Sequence, residues 1–322
     1  MDFFKTTSPS TIIKLINSTS KGIKFGENVE TLSSWEELGN QEAKFVLLGL
    51  PTLSMEDNIV SFKHSNVFLD TLEHLLSTQD NRFNSGNQLL VLGEVDHELL
   101  LEKLNQFKTN SEKIKLYYQT LDVIIQDVII KIFAAEKIPI IVGGCHKSFD
   151  LVLKSIHKVK EKISNALEMS SRINFNIEDS DQLKDQNYFT PTYLNKYYAF
   201  GVHSNYISEF EFEFFDTHKN LNYYLYEDCL HLTTLDKCIR LKNAIDFLKG
   251  NLGFKLDFAS IQGLSAGLDV ISGFSVRDMR TFIKIIRKES IQFFQISGFQ
   301  NQNLEGQCQL LSYLITDFVR KD

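Results

Sequence analysis

The sequence predicts an α/β fold built on a mainly parallel sheet with helices on both sides. Two observations carry that expectation. Short apolar runs alternate with longer helical patterns along all 322 residues, the pattern of successive strand–crossover–strand units. The apolar runs, KFVLLGL at 44–50 and QLLVL at 88–92, are continuous, as strands covered on both faces are.

Residues 1–40 read as an N-terminal extension packed on a single domain at 41–322. After the first two strands, residues 111–137 carry the longest helical pattern, with Leu121, Ile125, Val128, Ile132 and Ala135 on one face. The next strand, 138–142, contains Pro139 and ends in Gly143 and Gly144. Further strands are expected at 173–176, 196–202, 222–226, 254–258 and 291–296. Between them, 233–249 places Leu235, Cys238, Leu241, Ile245 and Leu248 at helical spacing, with Gly250 as C-cap. Ser275 reads as the N-cap of a helix running to Ile286, and a helix at 304–319 closes the chain. No internal repeat or low-complexity linker divides it.

Composition narrows the function classes. With 43% hydrophobic and 23% charged residues, the chain is an ordinary globular protein with a sizeable core. A net charge of -7 argues against a nucleic-acid surface, which needs clustered Lys and Arg. The most basic stretch, 158–162, includes Glu161 and reads as a solvated helical face. The four cysteines, Cys145, Cys229, Cys238 and Cys308, form no CxxC pair, and the N-terminus lacks a charged region followed by an apolar run. Both point to the reducing cytoplasm. No apolar run approaches the roughly 20 residues of a membrane span, so no membrane contact is expected. The nearest, 123–135, is interrupted by Gln126, Asp127 and Lys131 and reads as a buried helix.

Three stretches are rich in potential ligands: IVGGCHK at 141–147, NFNIEDSD at 174–181 and KLDFASIQG at 255–263. They resemble the GG-x-H, D-A-H-x-D and D-x-D metal-binding signatures of the ureohydrolases, the family of arginase, agmatinase and formimidoylglutamase. Weaker pieces extend the resemblance from about residue 44 to 319: Gly49-Leu50-Pro51, Leu92-Gly93-Glu94, Phe200-Gly201-Val202-His203 and Ser272-Gly273-Phe274-Ser275. Together they resemble formimidoylglutamase-like members most. The resemblance implies a three-layer α/β/α arginase-like fold with a mainly parallel sheet of about eight strands. It also implies a reaction in which hydroxide held between two Mn2+ ions splits a linear amidine or guanidinium C–N bond.

Carried over residue by residue, the resemblance places one metal at His146, Asn176, Ser180 and Asp257. A second falls to Glu178, Asn176, Asp257 and Ala259. Hard divalent cations need several anionic oxygens. Asn176 is neutral, Ser180 is a weak donor and Ala259 offers nothing, so a binuclear cluster is not expected. The family's substrate-binding glutamate is replaced by Gly298, and the Gly- and Arg-rich loop after the first strand is absent from TLSMEDNIVSFKH at 52–64.

These losses predict a pseudoenzyme with no catalytic residues and no cofactor. It would bind a small molecule in the remnant cleft, or a partner such as an active paralogue or further copies of itself. The alternative is a metal-dependent hydrolase of a linear amidine using one Mn2+ among His146, Glu178 and Asp257. A one-residue slip bringing Asp179 and Asp181 into place would turn Asn176 and Glu178 away. Cys145 beside His146 reads as a buried thiol rather than a nucleophile, and Gly143-Gly144 as a turn device rather than an anion site. His203 reads as a satisfied structural histidine or a cleft-lining one.

Overall fold

The structure, a computed structural model, describes residues 3–16, 21–51, 54–56, 59–61, 67–104, 110–144, 146–161, 163–174, 193–263, 272–299 and 303–321. Its strands are β1 (Phe4–Thr6), β2 (Glu30–Thr31), β3 (Phe45–Leu50), β4 (Ser54–Glu56), β5 (Ile59–Ser61), β6 (Leu89–Val95), β7 (Ile138–Gly143), β8 (Ser164–Met169), β9 (Leu194–Val202), β10 (Leu221–Leu225), β11 (Leu252–Asp257) and β12 (Ile291–Ser297). Its helices are α1 (Pro9–Leu15), α2 (Val67–Leu76), α3 (His97–Leu104), α4 (Asn110–Ala134), α5 (His146–Lys160), α6 (Glu209–Thr217), α7 (Thr234–Leu248), α8 (Val276–Ile286) and α9 (Leu304–Val319).

Ten strands form one sheet in the order β1-β6-β3-β7-β12-β11-β8-β9-β10, with β2 also on β6; β4 and β5 pair separately. From β6 to β10 every pairing is parallel. The expected count of about eight strands is therefore low by two. The extra pair, β1 and β2, lies in the N-terminal segment, which adds short strands to β6, one antiparallel and one parallel. Strands of three and two residues are too short to leave a readable hydrophobic period.

Helices cover both sheet faces, giving three layers. One core joins Leu47, Ile140, Leu167, Phe254 and Phe294 to apolar residues of α2, α7, α8 and α9. The other joins Val46, Leu90, Ile141, Ala166 and Phe293 to residues of α4, α5 and α6. Local chemistry sets the helix ends. Thr233 and Ser275 cap α7 and α8, each in a reciprocal capping box, with Asp236 and Asp278 respectively. Beyond α7, Lys249 and Gly250 take positive φ values of 44° and 91°, the turn that stops the helix. Pro139 is tolerated inside the sheet because the β7–β12 ladder begins only at Ile140.

One expected strand is misplaced. Residues 173 and 174 are not in a strand, and 175–176 lie outside the described residues; the strand beside β9 and β11 is β8, which ends at Met169. Its sequence, SNALEM, carries Ser164, Asn165 and Glu168, so it does not read as an apolar run, yet the strand is buried throughout. Its polar groups have partners inside the protein. The Ser164 hydroxyl donates to Gln292 Oε1 at 2.7 Å, and Asn165 Nδ2 to the Lys249 carbonyl at 2.6 Å.

Candidate functional site

Side chains alternate along a strand, so Gly253, Lys255 and Asp257 of β11 point to one sheet face and Phe254 and Leu256 to the other. Cross-strand register turns this alternation into rows. Deepest on the α4–α5 side lies Ala166–Gly253–Phe293, where the Phe293 ring fills the space that a side chain at Gly253 would take. The next row reads Ala199–Glu168–Lys255–Gln295–Ile141. The last, at the carboxyl end, sets Asp257 beside Ser297; the same register carried one residue past Met169 brings Ser170 to its other side. Polarity rises toward the carboxyl end on this face alone. That end is where open α/β sheets bind ligands.

The middle row holds a buried ion pair. Lys255 Nζ lies 2.6 Å from Glu168 Oε1, with side chains 2% and 0% exposed. The Tyr197 hydroxyl donates to the other Glu168 oxygen, Oε2. Asn174 Nδ2 donates to Glu168 Oε1 at 2.8 Å and to the Ser170 hydroxyl at 2.9 Å. Burial, and then the Glu168 charge, raise the Tyr197 phenol far above its ordinary range, so it stays a proton donor. Farther along the row, Gln295 Nε2 donates to the Gly143 carbonyl at 3.1 Å and to the Ser148 hydroxyl at 2.7 Å.

At the rim, Asp257 ends β11 and caps a short turn, Phe258–Ser260, its Oδ1 accepting the Ala259 N–H at 2.8 Å. Burial raises its carboxyl above the usual aspartate range; Lys255, the Ala259 N–H and Arg172 pull the other way, while Glu168 adds to the rise. The Arg172 guanidinium lies over the Tyr206 ring, 4.8 Å from its centroid. Gly298 follows β12 at φ 78°, and a Cβ there would fall 1.9 Å from Asp257 Oδ1. The positive φ favours glycine, and a side chain there would require the Asp257 carboxylate to move.

Among the sequence-predicted positions, Asp257 and Ala259 meet in that turn. His146 is the first residue of α5, at the carboxyl end of β7, with β12 between β7 and β11. Its backbone thus sits on the same sheet end as Asp257. Asn176, Glu178, Ser180, Asp179, Asp181 and Cys145 lie outside the described residues. The position next to Asp257 on β8 goes to Ser170, because the strand ends well before Asn176.

His203, just beyond β9, is 8% exposed; its ring stacks on Tyr226 at 4.7 Å, and its Nε2 has no hydrogen-bond partner among the described residues. It is a packed histidine rather than a satisfied one, and burial keeps its pKa below the ordinary value.

Among the described residues, no group of three or more His, Cys, Asp or Glu could hold a metal ion. What is present fits a manganese pair poorly. Among the described residues, the Asp257 carboxylate caps a turn, its neighbours Ser170 and Ser297 are neutral, and the Ala259 side chain has no donor. The cavity beside Gly144, lined by Leu50, Tyr118, Asp122, Lys147 and Ser148 among others, measures about 30 Å³. That is room for a water, not for an amino acid. Glu168, Lys255, Tyr197 and Gln295 escape a motif-led reading of the sequence. Their signal is a charge in mid-strand, in NALEM and in GFKLD, where a buried strand should be apolar.

No protein-family model matches the sequence, and no curated protein matches it. Solved structures do match in shape. Trypanosoma cruzi formiminoglutamase with Mn2+ superposes with a TM-score of 0.65 at 11% identity, covering 93% of this chain and 98% of that one. Formimidoylglutamase from Bacillus subtilis gives 0.63 at 11% identity, covering 95% and 96%. Arginase from Bacillus subtilis gives 0.62 at 14% identity, covering 87% and 99%. At such identities the likeness is one of architecture. The chain has the arginase-like α/β/α fold that these formiminoglutamase and arginase structures share.

Proposed function

We propose that this chain is a ureohydrolase-family pseudoenzyme: a formimidoylglutamase-like scaffold without hydrolase activity that works by binding a ligand or a partner protein. One observation carries the reading. At the sheet end where ligands bind, the Asp257 carboxylate is turned onto its own backbone at Ala259 N, and Gly298 lies close against it, so that a side chain there would require the carboxylate to move. A site that activates water between two Mn2+ ions needs carboxylates free to face the metals. The motif resemblance and the shared fold support descent from such enzymes. The neutral residues that the structure sets beside Asp257, namely Ser170, Ser297 and Ala259, support loss of the reaction. The reading includes a reducing, cytoplasmic setting and self-association or pairing with an active paralogue.

The test is elemental analysis of protein purified in manganese, together with assays of urea or formamide release from arginine, agmatine and formimidoylglutamate. No stoichiometric metal and no product are expected. Two manganese ions per chain would sink the reading. One ion with turnover would establish the single-metal hydrolase built on His146, Glu178 and Asp257.

A further inference from the structure

Lys255 is a cation in an unusual place. It stands in the middle of a buried strand, on the same face as Asp257, two residues before it. An ammonium taken fully out of water is costly unless carboxylates and hydrogen bonds surround it. Glu168 provides the carboxylate, directly opposite on β8, and Tyr197 and Asn174 hold that carboxylate in place. One residue of β8 thus meets the buried positive charge directly, and one residue of β9 and one of a loop hold that partner. It lies where β8 and β11 run out toward the rim, beneath Asp257.

We infer that Lys255 is the built-in cation of this crevice, its ammonium supplying the positive charge that holds Glu168 and offsets Asp257, so that a divalent metal is excluded. The inference rests on the metal-free reading above and says what took the metal's place. An ammonium and a divalent ion compete for the same anionic oxygens, and their like charges repel strongly at such separations. Asp257 sits one row farther on, a diagonal neighbour of Glu168 across the β8–β11 pair. Two carboxylates so placed can be bridged by one cation. In this chain the nearby cation is Lys255, which pairs with Glu168 at 2.6 Å and acts on Asp257 through its charge; it is a positioning residue that touches no substrate. Arg172 adds a second positive charge from the rim side.

Removing the ammonium should therefore create a metal site where none exists. The full chain, Lys255→Met and Lys255→Arg are melted in EDTA and in MnCl2, and Mn2+ binding is followed by electron paramagnetic resonance. Wild type and Lys255→Arg are expected to be unaffected by Mn2+. Lys255→Met is expected to melt lower in EDTA, to recover about 5 °C at a hundredfold excess of Mn2+ over its dissociation constant, and to bind about one ion per chain. If Lys255→Met does not fold alone, refolding from denaturant with and without Mn2+ decides. Recovery only with the metal supports the inference, and failure in both overturns it. A Lys255→Met protein as indifferent to Mn2+ as wild type overturns the inference but leaves the pseudoenzyme reading standing. Mn2+ binding by wild type overturns both.

Discussion

The two faces of the central sheet are made by the same strands and by opposite chemistry. On one face Leu167, Phe254, Phe294 and Ile140 form an apolar row, with the Phe254 and Phe294 rings stacked at 4.9 Å, and Met169, Leu256, Ile296 and Val142 form the next. On the other face the matching rows hold Glu168, Lys255 and Gln295, then Asp257 and Ser297. The first face is held by burial alone, which tolerates small changes of shape. The second is held by directional pairs, in which each partner is costly to leave behind. The same strands thus carry an apolar core on one face and a charged, hydrogen-bonded network on the other.

Lys255 and Leu256 are neighbours on β11 that face opposite ways, so they make the sharpest comparison. Lys255→Met leaves Glu168 buried without its cation, at a cost of about 3–5 kcal/mol. The double variant Lys255→Met/Glu168→Leu is expected to regain most of that, because an apolar pair can replace a buried ion pair almost neutrally. Leu256→Ala is expected to cost about 3 kcal/mol with no partner able to rescue it. Urea denaturation of the single and double variants checks both. Additivity between Glu168 and Lys255 would break the comparison, since residues sharing one contact should couple.

The strands that build the apolar face were the legible part of this chain. Runs such as KFVLLGL and the capping signals at Thr233 and Ser275 announce their elements, because burial on both sides leaves no alternation to misread. β8 was not legible. The cation that pairs with its Glu168 is Lys255, 87 positions later, and no local window contains both. The same non-locality shifted the rim: RINFN at 172–176 has the β-branched and aromatic look of a strand, whereas the sheet takes up SNALEM just before it. Asp257 was readable from its motif. The close approach of Gly298 to the Asp257 carboxylate was not, because that depends on how two strand ends approach.

Glu94, at the end of β6, shows what burial does to a carboxylate whose compensation is weaker. Burial raises its pKa from 4.5 to about 7; Lys5, paired across from it on β1, opposes the rise, and Asp96 adds to it. The folded pKa lies above the unfolded one, so ionisation works against folding. Stability is fully present below about pH 4.5 and is lost as pH rises through about 7. Glu94→Gln should therefore leave stability at pH 4.5 nearly unchanged and raise it by about 2 kcal/mol at pH 8, after discounting for solvent screening. Parallel pH–stability curves for the two proteins would remove Glu94 as the source of the slope.

The smallest expected effect lies at the rim, where two terms oppose each other. The Asp257 carboxylate caps the Phe258–Ser260 turn, and losing such a cap costs about 1 kcal/mol. Its ionised form is also disfavoured by burial, so deleting it removes a strained charge. Asp257→Asn keeps an oxygen able to accept the Ala259 N–H and drops the charge, so it should be neutral or slightly stabilising at pH 7. Asp257→Ala drops both and should melt about 2 °C below the Asn variant. EDTA should move neither protein, nor wild type, if chain cations alone serve this carboxylate. A fall of several degrees in wild type on adding EDTA, with the two variants melting together, would mean that Asp257 holds a metal and not a turn.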